Sequence, residues 1–338
     1  MGSVDIALPL IDLSGYIRPD ATEESRQRVI DEVRDACEQF GFFQATGHGV
    51  DLALQKGLLQ SLDTFFGQSK EEKLKLSFLS NSCRRGYEAS GMSIRDGDPL
   101  ADSKEAFYIG PEDAEIEPPG LYGPNVWPTN LPGSTFRDPV WAYYEATFQL
   151  GRTIWEILLQ GLGHPATVLD VFAKRPLVPM KMIRYPPASQ HLPGQFGVGA
   201  HTDFGGVTVL LQEPGKEGLE VWHEEARPES TETTGSWVPV PAIENVYVIN
   251  CGDMIQRWST RRYKSARHRV VNKADVQRLS CATFWHGDLY ATDPLNPGNG
   301  DTECIGQLLF KRFKNQFSFT KDVAEQLGPQ AQAVEGAR

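Results

Sequence analysis

The sequence predicts an α+β protein with a mainly β core, its helices gathered in the first half of the chain and packed outside a strand-rich second half. Three observations predict this. Before Leu162, apolar residues recur every three to four positions in long runs, the period of a helix face. From Val178 onward, short apolar runs succeed one another, bounded by Gly, Pro, Asn or Asp, as strand ends are. The 338 residues, 40% hydrophobic and 23% charged, suffice for one large domain or two small ones. Many short strands after a helical half imply an antiparallel sandwich or barrel with helices outside it.

In chain order, Leu8 to Leu13 reads as a short buried strand. A helix is expected over Glu23–Phe40, capped by Thr22, with Glu23 and Glu24 in its first turn and an apolar face of Val29, Ile30, Val33, Cys37 and Phe40. A strand at Gly41–Val50 breaks into a glycine-rich turn, where His48 is expected to make a structural hydrogen bond rather than bind metal. A second helix spans Leu52–Phe66 and a short charged one Ser69–Leu76. Residues 81–132, rich in Gly, Pro and Asp, lack periodicity, and such a stretch in an enzyme is commonly functional. The longest helix is expected over Pro139–Leu162, capped by Asp138, with Trp141, Tyr144, Phe148, Gly151, Trp155 and Leu158 as core packing. Strands follow at Met180–Tyr185, Gly206–Gln212, Leu219–Trp222, Trp237–Val240, Val246–Cys251, Met254–Trp258, Arg267–Asn272 and Leu279–His286, with Glu224–Ser236 as an exposed insertion. Residues 1–135 therefore form an N-terminal helical and mixed region, 136–320 the strand-rich core with its preceding helix, and 321–338 a polar tail that starts as helix and frays.

Composition removes several function classes. The net charge of −11 argues against a nucleic-acid binder. Five scattered cysteines without a C-x-x-C pair form neither a disulfide framework nor a zinc-thiolate site, and suit a reducing cytoplasmic setting. No signal peptide opens the chain and no apolar run is long enough for a membrane span, while nothing specifies an oligomeric state.

Chemistry concentrates in three stretches. In His201-Thr202-Asp203 the imidazole and carboxylate, two positions apart, project to one side of an extended backbone and can converge on a metal. His268, within Tyr263-Lys264-Ser265-Ala266-Arg267-His268-Arg269, supplies a third ligand. Two histidines and one carboxylate form the facial triad of non-haem Fe(II) oxygenases, which leaves coordination positions open for a co-substrate and dioxygen. Arg278 and Ser280 share one face of a strand, and a guanidinium beside a hydroxyl makes a carboxylate site. His223 and His286 stay outside the ligand set.

Taken in order, Pro9-Leu10-Ile11-Asp12-Leu13, Gly41-Phe42-Phe43, His48-Gly49-Val50, Arg184-Tyr185-Pro186, His201-Thr202-Asp203, Asn250-Cys251-Gly252-Asp253, Tyr263-Lys264-Ser265, His268-Arg269-Val270 and Arg278-Leu279-Ser280 make the chain resemble the isopenicillin N synthase-like family of Fe(II)/2-oxoglutarate-dependent oxygenases, from about Leu8 to Thr320. The segments around Arg85-Gly86-Tyr87, Phe107-Tyr108-Ile109-Gly110 and Gly123-Pro124-Asn125 resemble fungal small-molecule members. The resemblance implies a double-stranded β-helix, a jelly-roll barrel, in the C-terminal half. It implies Fe(II) on His201, Asp203 and His268, and 2-oxoglutarate held by Arg278 and Ser280 with Tyr185 as a further donor. Dioxygen then converts the co-substrate to succinate and CO2, and an Fe(IV)-oxo species hydroxylates, desaturates, epoxidises or cyclises a small molecule, as in fungal specialised metabolism. Strand parity extends the pocket to Phe284, and to Lys181 and Ile183 on the face of Tyr185; Phe204 adjoins the metal motif, and Arg85 and Tyr87 belong to a substrate lid at 81–132. Two departures stand out: Arg261-Arg262 at a turn where relatives carry Asn-Gly or Asp-Gly, and the long insertion at Glu224–Ser236. Two other readings stay open, a same-fold oxidase that uses no 2-oxoglutarate and a binding protein with a vestigial barrel.

Overall fold

The core is one large sheet facing one small one. A computed structural model describes residues 6–81, 83–94, 98–113, 121–225, 234–298 and 303–316, so the expected tail at 321–338 and much of the insertion lie outside the described residues. Strand β1 (Leu10–Asp12) leads through α1 (Ser14–Ile17) into α2 (Glu23–Gln39), where the Thr22 hydroxyl accepts from the amide of Ser25 as a cap should. Next come β2 (Phe42–Thr46), α3 (Leu52–Phe66) capped by Asp51, α4 (Lys70–Leu74), β3 (Gly86–Glu88) and β4 (Glu105–Ile109). The long α5 (Arg137–Gly161) and short α6 (Leu169–Phe172) precede the strand-rich half.

That half holds β5 (Pro176–Leu177), β6 (Met180–Tyr185), β7 (Val198–His201), β8 (Val207–Gln212), β9 (Leu219–Glu225), β10 (Thr234–Pro239), β11 (Tyr247–Cys251), α7 (Asp253–Trp258), β12 (His268–Val270), β13 (Arg278–Trp285), β14 (Gly287–Asp288) and α8 (Ile305–Gln316). The eight-stranded sheet runs β1-β2-β11-β8-β13-β6-β4-β3, and the four-stranded sheet β10-β9-β12-β7. A mainly β core with helices outside is thus as expected. Helices α2, α3 and α5 bury Val33, Leu58, Leu62, Tyr143, Ile154 and Trp155 against one face of the large sheet, which contributes Phe43, Val209, Ile249, Cys281 and Trp285. A second apolar cluster, including Phe42, Ala106, Ile183, Tyr185, Val198, Val221, Val248 and Val270, lies between the two sheets.

Several expectations need correction. Met254–Trp258 is not a strand but part of α7: Met254, Ile255 and Trp258 share one buried face at helical spacing, and Gly252 and Asp253 open the first turn. Helix α5 begins at Arg137 after Phe136, so Asp138 sits in its first turn rather than capping it. The aperiodic stretch contains β3 and β4, which pair with each other and, through β4, with β6. At the turn that holds Arg261 and Arg262, the residues with left-handed backbone are Thr260 (φ 51°) and Arg261 (φ 67°). Both carry a Cβ, so this turn is strained where Asn-Gly is relaxed.

Candidate metal centre and co-substrate site

Strand pairing builds the site. β12 lies antiparallel between β7 and β9, with His268 directly opposite His201, so the two imidazoles leave adjacent strands side by side. Their ring centroids are 4.2 Å apart. Asp203 follows β7 by two residues, and its backbone carbonyl accepts from the amide of Asp253 (2.7 Å), which pins the turn. His201 Nε2 and His268 Nε2 lie 3.7 and 3.8 Å from Asp203 Oδ1. One ligand atom from each residue lies within 4.8 Å of the others, a spacing that fits one metal ion.

Every other polar atom of the three is held. His201 Nδ1 lies 2.9 Å from the carbonyl of Gly199, and His268 Nδ1 3.2 Å from that of Ala266. A proton on Nδ1 satisfies each carbonyl and leaves each Nε2 as a lone-pair ligand. Asp203 Oδ2 accepts from Thr208 Oγ1 (2.7 Å) and Asn250 Nδ2 (2.8 Å), leaving Oδ1 toward the histidines. Thr208 and Asn250 face each other across β8 and β11, so the floor beneath the carboxylate is a single cross-strand row. Sequence reading missed both, although Asn250 lies in a motif that carried the resemblance.

On β13, Arg278 and Ser280 are each 1% exposed. Arg278 Nε donates to the Lys216 carbonyl (3.0 Å) and Nη2 to Gln212 Oε1 (2.8 Å), both neutral acceptors. Its guanidinium lies 4.9 Å from the ring centre of Tyr185, its cross-strand partner. Arg278 Nη1 and Ser280 Oγ are buried with no hydrogen-bond partner among the described residues. Burial pulls the guanidinium pKa down. A buried cation with an unused donor beside an unused hydroxyl is costly unless an anion completes it.

The two family models that match the chain are the N-terminal region of non-haem dioxygenases, described for morphine synthesis, over residues 8–130, and the 2OG-Fe(II) oxygenase superfamily, over 177–287. The chain is 61% identical over 328 residues to the 2-oxoglutarate-dependent dioxygenase thnC of Trichoderma harzianum, covering 97% of this chain and 99% of that one. This chain belongs to the Fe(II)/2-oxoglutarate-dependent dioxygenases. The dioxygenase caaD of Aspergillus niger is 44% identical over 323 residues, covering 96% of this chain and 97% of the other. Among solved structures, a full-length Neurospora crassa protein in complex with alpha-KG matches with a TM-score of 0.75 at 24% identity, covering 93% of this chain and 98% of that one, a likeness that speaks to the fold alone. The dioxygenase is an oxidoreductase that uses Fe(II) and 2-oxoglutarate to oxidise a small molecule. No described helix is long and apolar enough to cross a membrane.

The remaining expected residues of the dioxygenase divide into two groups. Phe284 lies opposite Thr208, and Lys181 opposite Ala282 and Tyr108, so both occupy cross-strand rows on the face that carries Thr208 and Ser280. Ile183 shares that face opposite Ser280. Phe204 and Phe284 are half-buried. Lys181 is ion-paired to Glu88 at 3.4 Å. Arg85 and Tyr87 point the other way, which corrects the lid assignment. Tyr87 packs on Phe65 and donates to Glu105 (2.5 Å). Arg85 donates to the Leu121 carbonyl (2.8 Å) beneath Gly110, where any Cβ would collide with the guanidinium. Strand alternation explains the miss: on β3 it is Glu88 that turns toward Lys181, not Tyr87. His48, as expected, is structural, with Nε2 3.1 Å from the Asn245 carbonyl and Nδ1 accepting from the amide of Val50.

Proposed function

We propose that His201 Nε2, Asp203 Oδ1 and His268 Nε2 hold the Fe(II), and that Arg278 and Ser280 hold the distal carboxylate of 2-oxoglutarate, with Tyr185 stacked against the guanidinium. The two facing sheets are then the two walls of a double-stranded β-helix, with the metal ligands on the small sheet and the co-substrate clamp on the large one. The observation that carries this reading is the pair of buried, unpartnered polar atoms, Arg278 Nη1 and Ser280 Oγ, on the strand face that also bears Phe284. A carboxylate supplies both the missing charge and the missing acceptor.

Bound iron supplies the oxidation of the substrate C–H bond at the expense of 2-oxoglutarate and dioxygen, with succinate and CO2 released. The chain's own residues do the rest. The Gly199 and Ala266 carbonyls orient the imidazoles, and Thr208 with Asn250 fixes one carboxylate oxygen so that the other faces the metal. Gln212 and the Lys216 carbonyl hold the guanidinium in place before the co-substrate arrives. Phe204, Phe284, Ile183 and Lys181 line the space left for a small molecule, which suits a role in fungal specialised metabolism.

A substrate-dependent succinate assay tests the assignment. Arg278→Ala should raise the KM for 2-oxoglutarate by about 100-fold, since about 3 kcal/mol attends a buried charged hydrogen-bonded pair, while Fe(II) affinity stays within about twofold. An unchanged KM would place the clamp elsewhere and favour an oxidase that needs no 2-oxoglutarate. Asp203→Ala should abolish both Fe(II) binding and turnover.

A further inference from the structure

We propose that His286 positions the substrate by hydrogen bond, and that the wall formed by Phe204, His286 and Phe284 selects a planar, conjugated small molecule bearing a hydroxyl or carbonyl oxygen. The inference rests on the metal centre assigned above and deepens it by naming a ligand class.

His286 follows the last residue of β13, and its backbone amide is already used, donating to the Leu177 carbonyl at 3.1 Å. The side chain is 3% exposed. Its ring lies 6.1 Å from that of Phe204 at 19° and 6.1 Å from that of Phe284 at 15°, so three rings stand nearly parallel. Each flanking residue is one step from the carboxylate of the metal triad. Phe204 follows Asp203 in the chain, and Phe284 faces Thr208, which donates to Asp203 Oδ2. His286 therefore stands beside the place where a substrate meets the metal.

The ring's slot is built for close approach. A Cβ on Gly205 would fall 2.1 Å from His286 Nδ1 and 2.2 Å from Cε1. Gly205 is itself wedged, since a Cβ on Gly252 would lie 2.2 Å from the Gly205 carbonyl oxygen. Two consecutive contacts that tolerate only glycine thus fix where the imidazole sits. Yet the ring gains no hydrogen bond from that fixation: Nδ1 is buried without a partner, and no described residue hydrogen-bonds Nε2. An apolar ring would pack between two phenylalanines without that cost. With Nδ1 wedged against Gly205, the nitrogen left to a ligand is Nε2, which a neutral imidazole presents either as an N–H donor or as an acceptor, so a ligand hydroxyl or carbonyl can meet it. The flat faces of Phe204 and Phe284 favour a ligand that is flat beside that oxygen, because a planar ring stacks in offset register and a puckered one loses contact.

The test uses the full chain loaded anaerobically with Fe(II) and 2-oxoglutarate, and three probes, 3-methylphenol, toluene and 3-methylcyclohexanol, measured by equilibrium dialysis. Wild type should bind 3-methylphenol about tenfold more tightly than either other probe, the factor expected for one hydrogen bond or one good stack. His286→Phe should abolish the preference for 3-methylphenol over toluene while leaving toluene binding within about twofold. His286→Gln, which keeps an amide donor and acceptor, should restore most of it. Equal losses for toluene and 3-methylphenol in His286→Phe would make His286 merely structural and overturn the proposal, as would a wild type indifferent to planarity. His286→Leu serves the same comparison should the phenylalanine variant fail to load. Loading is read separately from the Fe(II)–2-oxoglutarate charge-transfer absorption; its absence in wild type would sink the metal-centre assignment itself, whereas its presence without probe selectivity would sink only the role of His286.

Discussion

Asp203 can offer one oxygen to a metal because the other is taken. Thr208 and Asn250 both donate to Oδ2, at 2.7 and 2.8 Å, and neither reaches Oδ1. Removing both donors leaves the carboxylate free to rotate and to lose its aim at the histidines. The double variant Thr208→Val with Asn250→Leu should therefore weaken Fe(II) binding by about 10–100-fold, the usual penalty for losing the groups that orient a ligand. Anaerobic competition against a chromogenic chelator checks this; unchanged affinity would show that the backbone alone aims Asp203. The candidate ligands His201 and Asp203 and the pair Arg278 and Ser280 stand out in the sequence, because His-x-Asp and Arg-x-Ser are local patterns whose spacing matches strand alternation. Thr208 and Asn250 do not, because their meeting depends on the register between β8 and β11, which spacing along the chain does not encode.

At the scale of elements, the stretch that looked aperiodic carries a buried charge network. Lys104 (Nζ) meets Glu88 at 2.9 Å with both side chains essentially buried, and also donates to Ser93. Tyr108 donates to the same carboxylate at 2.6 Å, and Lys181 on β6 pairs with it at 3.4 Å. On the opposite face, Glu105 gathers Lys73, Arg184 and Tyr87. These pairs bind β3 and β4 to β6, and Asp102 reaches on to the amide of Gly199 at the start of the metal strand. Periodicity could not reveal β3 and β4 because both are short, are buried on both faces and so show no alternation, and carry Glu88 and Glu105 at buried positions, whereas α7 was misread because a short apolar run suits either period. Lys104→Met should lower stability by about 3–5 kcal/mol by leaving Glu88 buried and short of charge. Burial pushes the Glu88 carboxyl up, but Lys104, Lys181 and the Tyr108 and Lys104 hydrogen bonds outweigh it and hold the carboxyl well below the usual range. A depressed carboxylate stabilises the folded state above its unfolded value, near 4.5, and that contribution is lost as the pH falls below it. Thermal unfolding of the wild type should therefore weaken steeply below that pH, and Lys104→Met should flatten the slope; parallel pH profiles would show that the network is electrostatically silent.

At the scale of the molecule, the division into residues 1–135 and 136–320 describes the order of the chain better than its folding unit. The large sheet takes four of its eight strands from the first part, with β2 paired to β11 at one side and β4 paired to β6 at the other. Without them, β11 and β6 become edges, and the central strands β8 and β13 sit in a four-stranded remnant whose apolar face has lost the cover of α2 and α3. The same cut removes Phe42 and Ala106 from the cluster between the sheets, and Phe43, Leu58 and Phe107 from the helical side. Phe42 also packs edge-on against His268, 5.2 Å between ring centroids, so the first part of the chain reaches the candidate metal centre directly. The full chain should unfold in a single calorimetric transition, and the fragment 136–338, although it contains His201, Asp203, His268, Arg278 and Ser280, should show no cooperative transition and no protected amides in β8 or β13. A fragment that melts cooperatively and binds Fe(II) would establish a separable oxygenase domain. The large sheet argues for the opposite outcome, since β11 and β6, which flank the central pair β8 and β13, each rely on a neighbour drawn from the first part of the chain.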